Sequence, residues 1–234
     1  MRHFILLMFG VAASLAAQAA DSPLQVTVEG MRAGQPIAPK YALCTPTHDG
    51  KSSKVSAPLR PTIRWSGAPK GNDSFAVFVM DPDVPADFTD AGKEGKILKA
   101  DSKRQNFFHY GVVGISAKAT QLAGSSANEA PADGTPLLND LGANHYVDPQ
   151  SAYGGPCPPW NDARLHHYHF IVLALDKEAP AIADARMRAG APASADPMTA
   201  KNTFDRLIAS PHVLARGEVI GTYTLNPTMR KAVK

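Results

Sequence analysis

Apolar and polar residues alternate along this chain in short runs with a period of two, which predicts strands. Leu24, Val26 and Val28 alternate with Gln25, Thr27 and Glu29, the pattern of a half-buried strand near a sheet edge. Thr62 to Trp65 forms a second short run, closed by the turn Ser66-Gly67-Ala68-Pro69. Phe75 to Met80, FAVFVM, is apolar throughout, as a strand buried on both faces would be, and Asp81-Pro82-Asp83-Val84-Pro85 follows it at once. Those prolines are expected to end the strand and to hold the two carboxylates at its mouth. Phe107 to Ile115 and Glu218 to Leu225 are two further strands, with His109 near the start of the first. Helical spacing occurs once: Phe204, Leu207 and Ile208 make one apolar face of a segment opened by Asp196-Pro197 and ended by Ser210-Pro211.

The pattern turns on Tyr153 to Asp176. Its first half, with Gly155-Pro156-Cys157-Pro158-Pro159, is too rich in glycine and proline to form a ladder and predicts a rigid turn. Its second half, His166 to Leu175, suits a central strand. Alternation puts His166, Tyr168, Phe170 and Val172 on one face and His167, His169, Ile171 and Leu173 on the other. A stiff loop that delivers polar groups to the mouth of a buried strand is a common way to build a binding site. Taken alone, histidines at a strand end are often just half-exposed polar residues, and it is the rest of the chain that points to a site at His166 and Tyr168. Between these runs, Pro36 to Pro61 reads as irregular chain with one short strand around Tyr41 to Cys44. Ala86 to Gln105 reads as an exposed loop, and Ser116 to Ala152 as a connection of unusual length.

The first residues follow a different rule. A basic start at Arg2 and His3, an apolar run from Phe4 to Leu15 and the small residues of Ala17-Gln18-Ala19 predict a signal peptide over residues 1–19. The apolar run falls short of the ~20 residues that a membrane span needs, and no later segment comes close. The expected product is a secreted chain, periplasmic in a Gram-negative cell, with one domain over residues 20–234, a short basic tail and no membrane span. Two cysteines, Cys44 and Cys157, fit no zinc spacing. In an oxidising compartment they are either a disulfide or a pair of small buried thiols. The net charge of +3 falls by one with Arg2, and no basic stripe interleaved with aromatics appears, so nucleic acid is not an expected partner.

The DPDVP turn after a buried strand, a histidine opening the next strand, GPCPP followed by LHHY, and the closing HVLARGEVIGTY resemble, in that order, the phosphatidylethanolamine-binding protein family, in its bacterial branch. The likeness runs from about Leu24 to Leu225. It implies a mostly β fold: a large central antiparallel sheet packed against a smaller sheet, with a few short helices. It also implies a small pocket for phosphate-type anions or phospholipid headgroups, with no cofactor and no metal. Residue by residue, it carries Asp81, Asp83, His109, Gly155, Cys157, Pro159, His166 and Tyr168 into that pocket. Val84 stands where the family has Ala, His167 where it has Arg, and Phe107 and Phe108 change the aromatic wall beside His109.

Two imidazoles, a phenol and loop N–H groups offer donors to a phosphate, and a carboxylate beside them favours protonated imidazole. Two rival functions use the same residues. Asp and His gathered at a cleft are also what a metal site or an acid–base phosphoesterase would use, although no nucleophile stands in a catalytic motif. A protein-interaction or inhibitor module on the same fold, with an unidentified protein partner, is the other.

Overall fold

The computed structural model describes residues 24–48, 52–144, 147–176 and 199–232. The leader, the Asp196-Pro197 helix opening and the last two tail residues lie outside them. In chain order the strands are β1 (Gln25–Val28), β2 (Cys44–Pro46), β3 (Ser53–Val55), β4 (Leu59–Arg60), β5 (Ile63–Ser66) and β6 (Ser74–Pro85). They continue with β7 (Arg104–Ser116), β8 (Gln121–Leu122), β9 (Ser125–Ser126), β10 (Thr135–Pro136), β11 (His166–Leu175) and β12 (Val213–Tyr223). A 3-10 turn covers Pro39–Tyr41, and the helices are α1 (Asp140–Ala143), α2 (Ala200–Ile208) and α3 (Pro227–Ala232).

The main sheet has five strands in the order β10-β7-β6-β11-β12, antiparallel throughout. β11 lies inside it, with Phe170 opposite Val79 of β6 and Val219 of β12. Strand alternation then sorts its side chains into two cores. Tyr168, Phe170 and Val172 join Phe75, Val77 and Val79 beneath the three-stranded sheet β1-β5-β8, which contributes Val28, Ile63, Trp65 and Leu122. Ile171 and Leu173 join Ala76, Phe78 and Met80 beneath α2, which contributes Ala200, Phe204 and Leu207. β1 is an edge strand of the smaller sheet, as its alternation predicts.

Three expectations change. β6 does not end at Met80 but runs through the prolines to Pro85. Its pairing with β11 stops at Met80, so Pro82 and Pro85 have no ladder partner on that side, while irregular pairing with β7 continues to Pro85–Arg104. The helix opens at Thr199, whose side chain accepts from Asn202 N, and Ile208 is 44% exposed rather than part of the buried face. Around Tyr41 the chain is a 3-10 turn, and the strand begins only at Cys44. The long connection from Ser116 to Ala152 is packed: Leu122, Ala127, Leu137 and Leu141 are buried. Buried Arg60 ties the connection down by donating to Glu129 O and Ala123 O as well as to Tyr110 Oη.

Cys44 and Cys157 are joined by a disulfide across 113 residues, with their Cα atoms 4.7 Å apart. Just before it, Gly155 passes so close to the 3-10 turn that a Cβ there would collide with the Tyr41 carbonyl oxygen. Only glycine lets the loop reach the turn at that point.

Candidate functional site

The polar ends of β6, β7 and β11 meet at one end of the main sheet. His166 opens β11 on the Tyr168–Phe170 face, and it is fully buried. Its Nδ1 stands 2.6 Å from Asp81 Oδ2 and its Nε2 3.1 Å from Asp162 Oδ2. A ring nitrogen facing a carboxylate must carry a proton, so the ring is an imidazolium donating at both positions. Burial works against that charge, but Asp81 and Asp162 overcome it and raise the His166 pKa to about 9.

The cluster extends outward by alternating charge. Arg104, at the start of β7, grips Asp162 with Nη1 (2.6 Å) and Nη2 (3.0 Å), and Nη1 also donates to Asp83 O (2.8 Å). Asp83 accepts from Arg164 Nε, from the His167 backbone N–H (3.0 Å) and from His167 Nδ1 (2.7 Å). Burial raises the carboxyls of Asp162 and Asp83, and their hydrogen bonds to His166, Arg104, His167 and Arg164 more than offset it, so both end below the ordinary range. Asp81 Oδ1 also accepts from Asp83 N (2.8 Å), which pins the DPD turn.

Over this floor lies a cleft of ≈ 600 Å³. Its polar base is Asp81, His109, His166 and Tyr168, and its walls include Phe107, Phe88, Trp160, Pro158, Pro159 and the Cys44–Cys157 disulfide. Two polar atoms at the base are unpaired. His109 donates from Nδ1 to Gly154 O (2.9 Å), which leaves Nε2 buried without a partner. The Tyr168 hydroxyl is also buried and unpartnered: Asp81 is a near neighbour but no hydrogen bond closes. Burial lowers the His109 pKa against the pull of Asp81, so the neutral ring points a lone pair into the cleft. Burial, then Asp81, push the Tyr168 phenol well above its usual range, so it keeps its proton. The rings of His109 and Tyr168 meet edge to face, their centroids 5.2 Å apart. The cleft therefore presents one acceptor that becomes a donor on protonation, one neutral hydroxyl and an aromatic wall.

Of the residues expected here, Asp81, His109, Cys157, Pro159, His166 and Tyr168 line the cleft. Asp83 does not: its carboxylate is consumed by Arg164 and His167. Gly155 shapes the loop without lining the cleft. His166 lines the base, yet neither of its nitrogens is free for a ligand. Sequence reasoning missed Asp162 and Arg104. Asp162 sits four residues before His166 in a loop, where no strand period marks it, and Arg104 looks like one more charge in the run from Ala86 to Gln105. That run is held in place: Asn161 Nδ2 donates to the carbonyls of Asp90, Lys93 and Lys96, and Asn161 Oδ1 accepts from Gly92 N. Among the described residues no His, Cys, Asp and Glu group is arranged to hold a metal ion, and no helix is long and apolar enough to cross a membrane.

A family model described as phosphatidylethanolamine-binding protein matches residues 28–224. The chain is similar to the UPF0098 protein YbcL of Escherichia coli K12, 30% identical over 173 residues that cover 74% of this chain and 80% of that protein. It is also similar to a UPF0098 protein of Chlamydia muridarum, 26% identical over 200 residues, covering 86% and 98%. Among solved structures, the crystal structure of E. coli YbcL, described as a new member of the mammalian PEBP family, matches with a TM-score of 0.56 at 24% identity, covering 87% of this chain and 99% of that one. A putative phosphatidylethanolamine-binding protein homologue from Chlamydia trachomatis matches with a TM-score of 0.53 at 23% identity, covering 86% and 97%.

Proposed function

The chain belongs to the phosphatidylethanolamine-binding protein family, and from that premise we propose that it is a binding protein whose cleft takes a phosphate-type group, free or as a phospholipid headgroup. One observation carries this reading: His109 Nε2 and the Tyr168 hydroxyl are buried, unpaired and face the same cleft. Buried polar groups are almost always satisfied, so two orphans on one cavity wall ask for a ligand that bonds both. A monohydrogen phosphate oxygen accepts from Tyr168, and its P–OH donates to neutral His109. Once His109 is protonated, a phosphodiester headgroup, which has no P–OH, is bound by two donors, as are the unprotonated oxygens of inorganic phosphate. The aromatic and proline walls suit the glycerol or amine end of a headgroup.

Binding rather than turnover is the reading. The thiol that would stand at the cleft, Cys157, is tied in the disulfide. Ser53 at the rim is exposed, with no histidine or carboxylate hydrogen-bonded to it among the described residues. The leader pattern and the disulfide support export to the periplasm. Edman sequencing of the exported protein is expected to begin at Ala20; a membrane-retained chain that keeps Met1 would contradict the export reading.

Calorimetric titration with inorganic phosphate and with glycerophosphoethanolamine tests the ligand class. Saturable binding that His109→Ala and Tyr168→Phe each weaken about tenfold supports it, a loss typical of a charge-assisted hydrogen bond. Equal affinity in both variants would remove the cleft as the site.

A further inference from the structure

A second cavity, ≈ 280 Å³, lies on the far edge of the main sheet, beside β12 and under α3. β12 is the last strand of that sheet, and the chain closes its edge with residues 34–37: Gly34 N donates to Ile220 O, Ile37 N to Thr222 O, and Thr222 N to Gln35 O. These bonds satisfy the Thr222 backbone but not its side chain. The Thr222 hydroxyl is buried with no partner, and the residue is 3% exposed. Arg230 of α3 borders the same cavity, and its Nε is also buried and unpartnered. No ion pair or side-chain hydrogen bond of Arg230 occurs among the described residues. The remaining wall is largely apolar, with Pro36, Pro39, Pro46 and Leu165.

We propose that this notch is a ligand site separate from the cleft, taking a monocarboxylate with a short apolar tail. The guanidinium of Arg230 is a planar fork that matches a carboxylate, and the Thr222 hydroxyl supplies a further donor to the same group. The choice of charge follows from balance. Among the described residues Arg230 is the one cation on the wall, so a monoanion is neutralised there, whereas a phosphate dianion would bury an uncompensated charge. The tail follows from the proline and leucine walls, which offer contact area and no hydrogen bonds. The volume lies at the small end of ligand cavities, enough for a short acyl chain and too small for a phospholipid headgroup with its tails.

The test uses the full-length mature protein and hexanoate. In the wild type, the Arg230 Nε–H resonance is followed by NMR as hexanoate is added, and a saturable shift is expected. Hexanoate affinity is expected to fall about tenfold or more in R230Q, which loses the charge, and several-fold in T222V, which keeps the shape. H109A is expected to leave it unchanged, and inorganic phosphate is expected not to displace hexanoate. An unmoved Arg230 Nε–H resonance in the wild type would overturn the proposal without relying on any variant's folding. So would equal affinity in R230Q, or competition by phosphate together with loss in H109A, which would put hexanoate in the cleft. Phosphate binding in the cleft is read separately, so failure of that function leaves this result standing.

Discussion

His166 sits between two carboxylates that each accept a hydrogen bond from it, and this makes it a structural cation rather than a titrating ligand group. A neutral glutamine there would leave buried Asp81 without its charged partner and Asp162 with Arg104 alone. His166→Gln is expected to lower the unfolding free energy by ~3–5 kcal/mol, read as a lower urea midpoint at an unchanged slope. The pH dependence has a definite sign. The folded-state pKa, about 9, lies above the unfolded value, so the stabilisation is complete below ~6.5 and is lost as pH rises through the folded value. Urea midpoints that stay level from pH 6 to pH 9.5 would contradict the imidazolium assignment. His109 behaves in the opposite way. Burial keeps it neutral, and an anion in the cleft favours its charged form, so phosphate affinity is expected to climb as pH falls below ~6.5 while the fold is intact. Affinity that is flat from pH 5 to pH 8 would exclude His109 as the contact.

At the scale of elements, α2 closes the second core through one face. Phe204 meets Phe78 and Phe108 at centroid distances of 5.2 and 5.3 Å, and Ala200 packs where a Cβ on Gly111 would come within 2.8 Å of its own. Phe204→Ala is expected to cost ~3–5 kcal/mol, against ~1 kcal/mol for Thr199→Ala, which removes only the cap. Thermal unfolding of the two variants side by side checks the ratio. Much of this layer is legible in the sequence, because strand alternation is a local rule. It assigns Tyr168, Phe170 and Val172 to one core and Ile171 and Leu173 to the other from the order of residues alone. The continuation of β6 through Asp81-Pro82-Asp83 is not legible. Whether a proline ends a strand depends on which neighbours remain beside it, and β11 turns away at that point. Asp162 and Arg104 are hidden for the same reason: their meaning lies in a contact 58 residues apart in the chain.

Across the whole molecule, the disulfide links the 3-10 turn region to the proline loop, and both of its cysteines line the cleft. Closing 113 residues stabilises by up to ~4–5 kcal/mol on the chain-entropy model. Reduction is expected to lower the melting temperature and to weaken phosphate binding together, because the loop that carries Gly154 orients His109. If reduction lowers stability while affinity is unchanged, the loop is held by its prolines and by Gly155 alone. The alternating cluster at the end of the sheet has a kinetic consequence. Asp81, Asp83 and Asp162 are matched by His166, Arg104 and Arg164 within a few ångströms, so their fields cancel a short way into solvent. An approaching anion would feel no long-range pull and would arrive by unaided diffusion and local search. Its association rate is then expected to be nearly independent of ionic strength, unlike that of a cleft ringed by uncompensated cations.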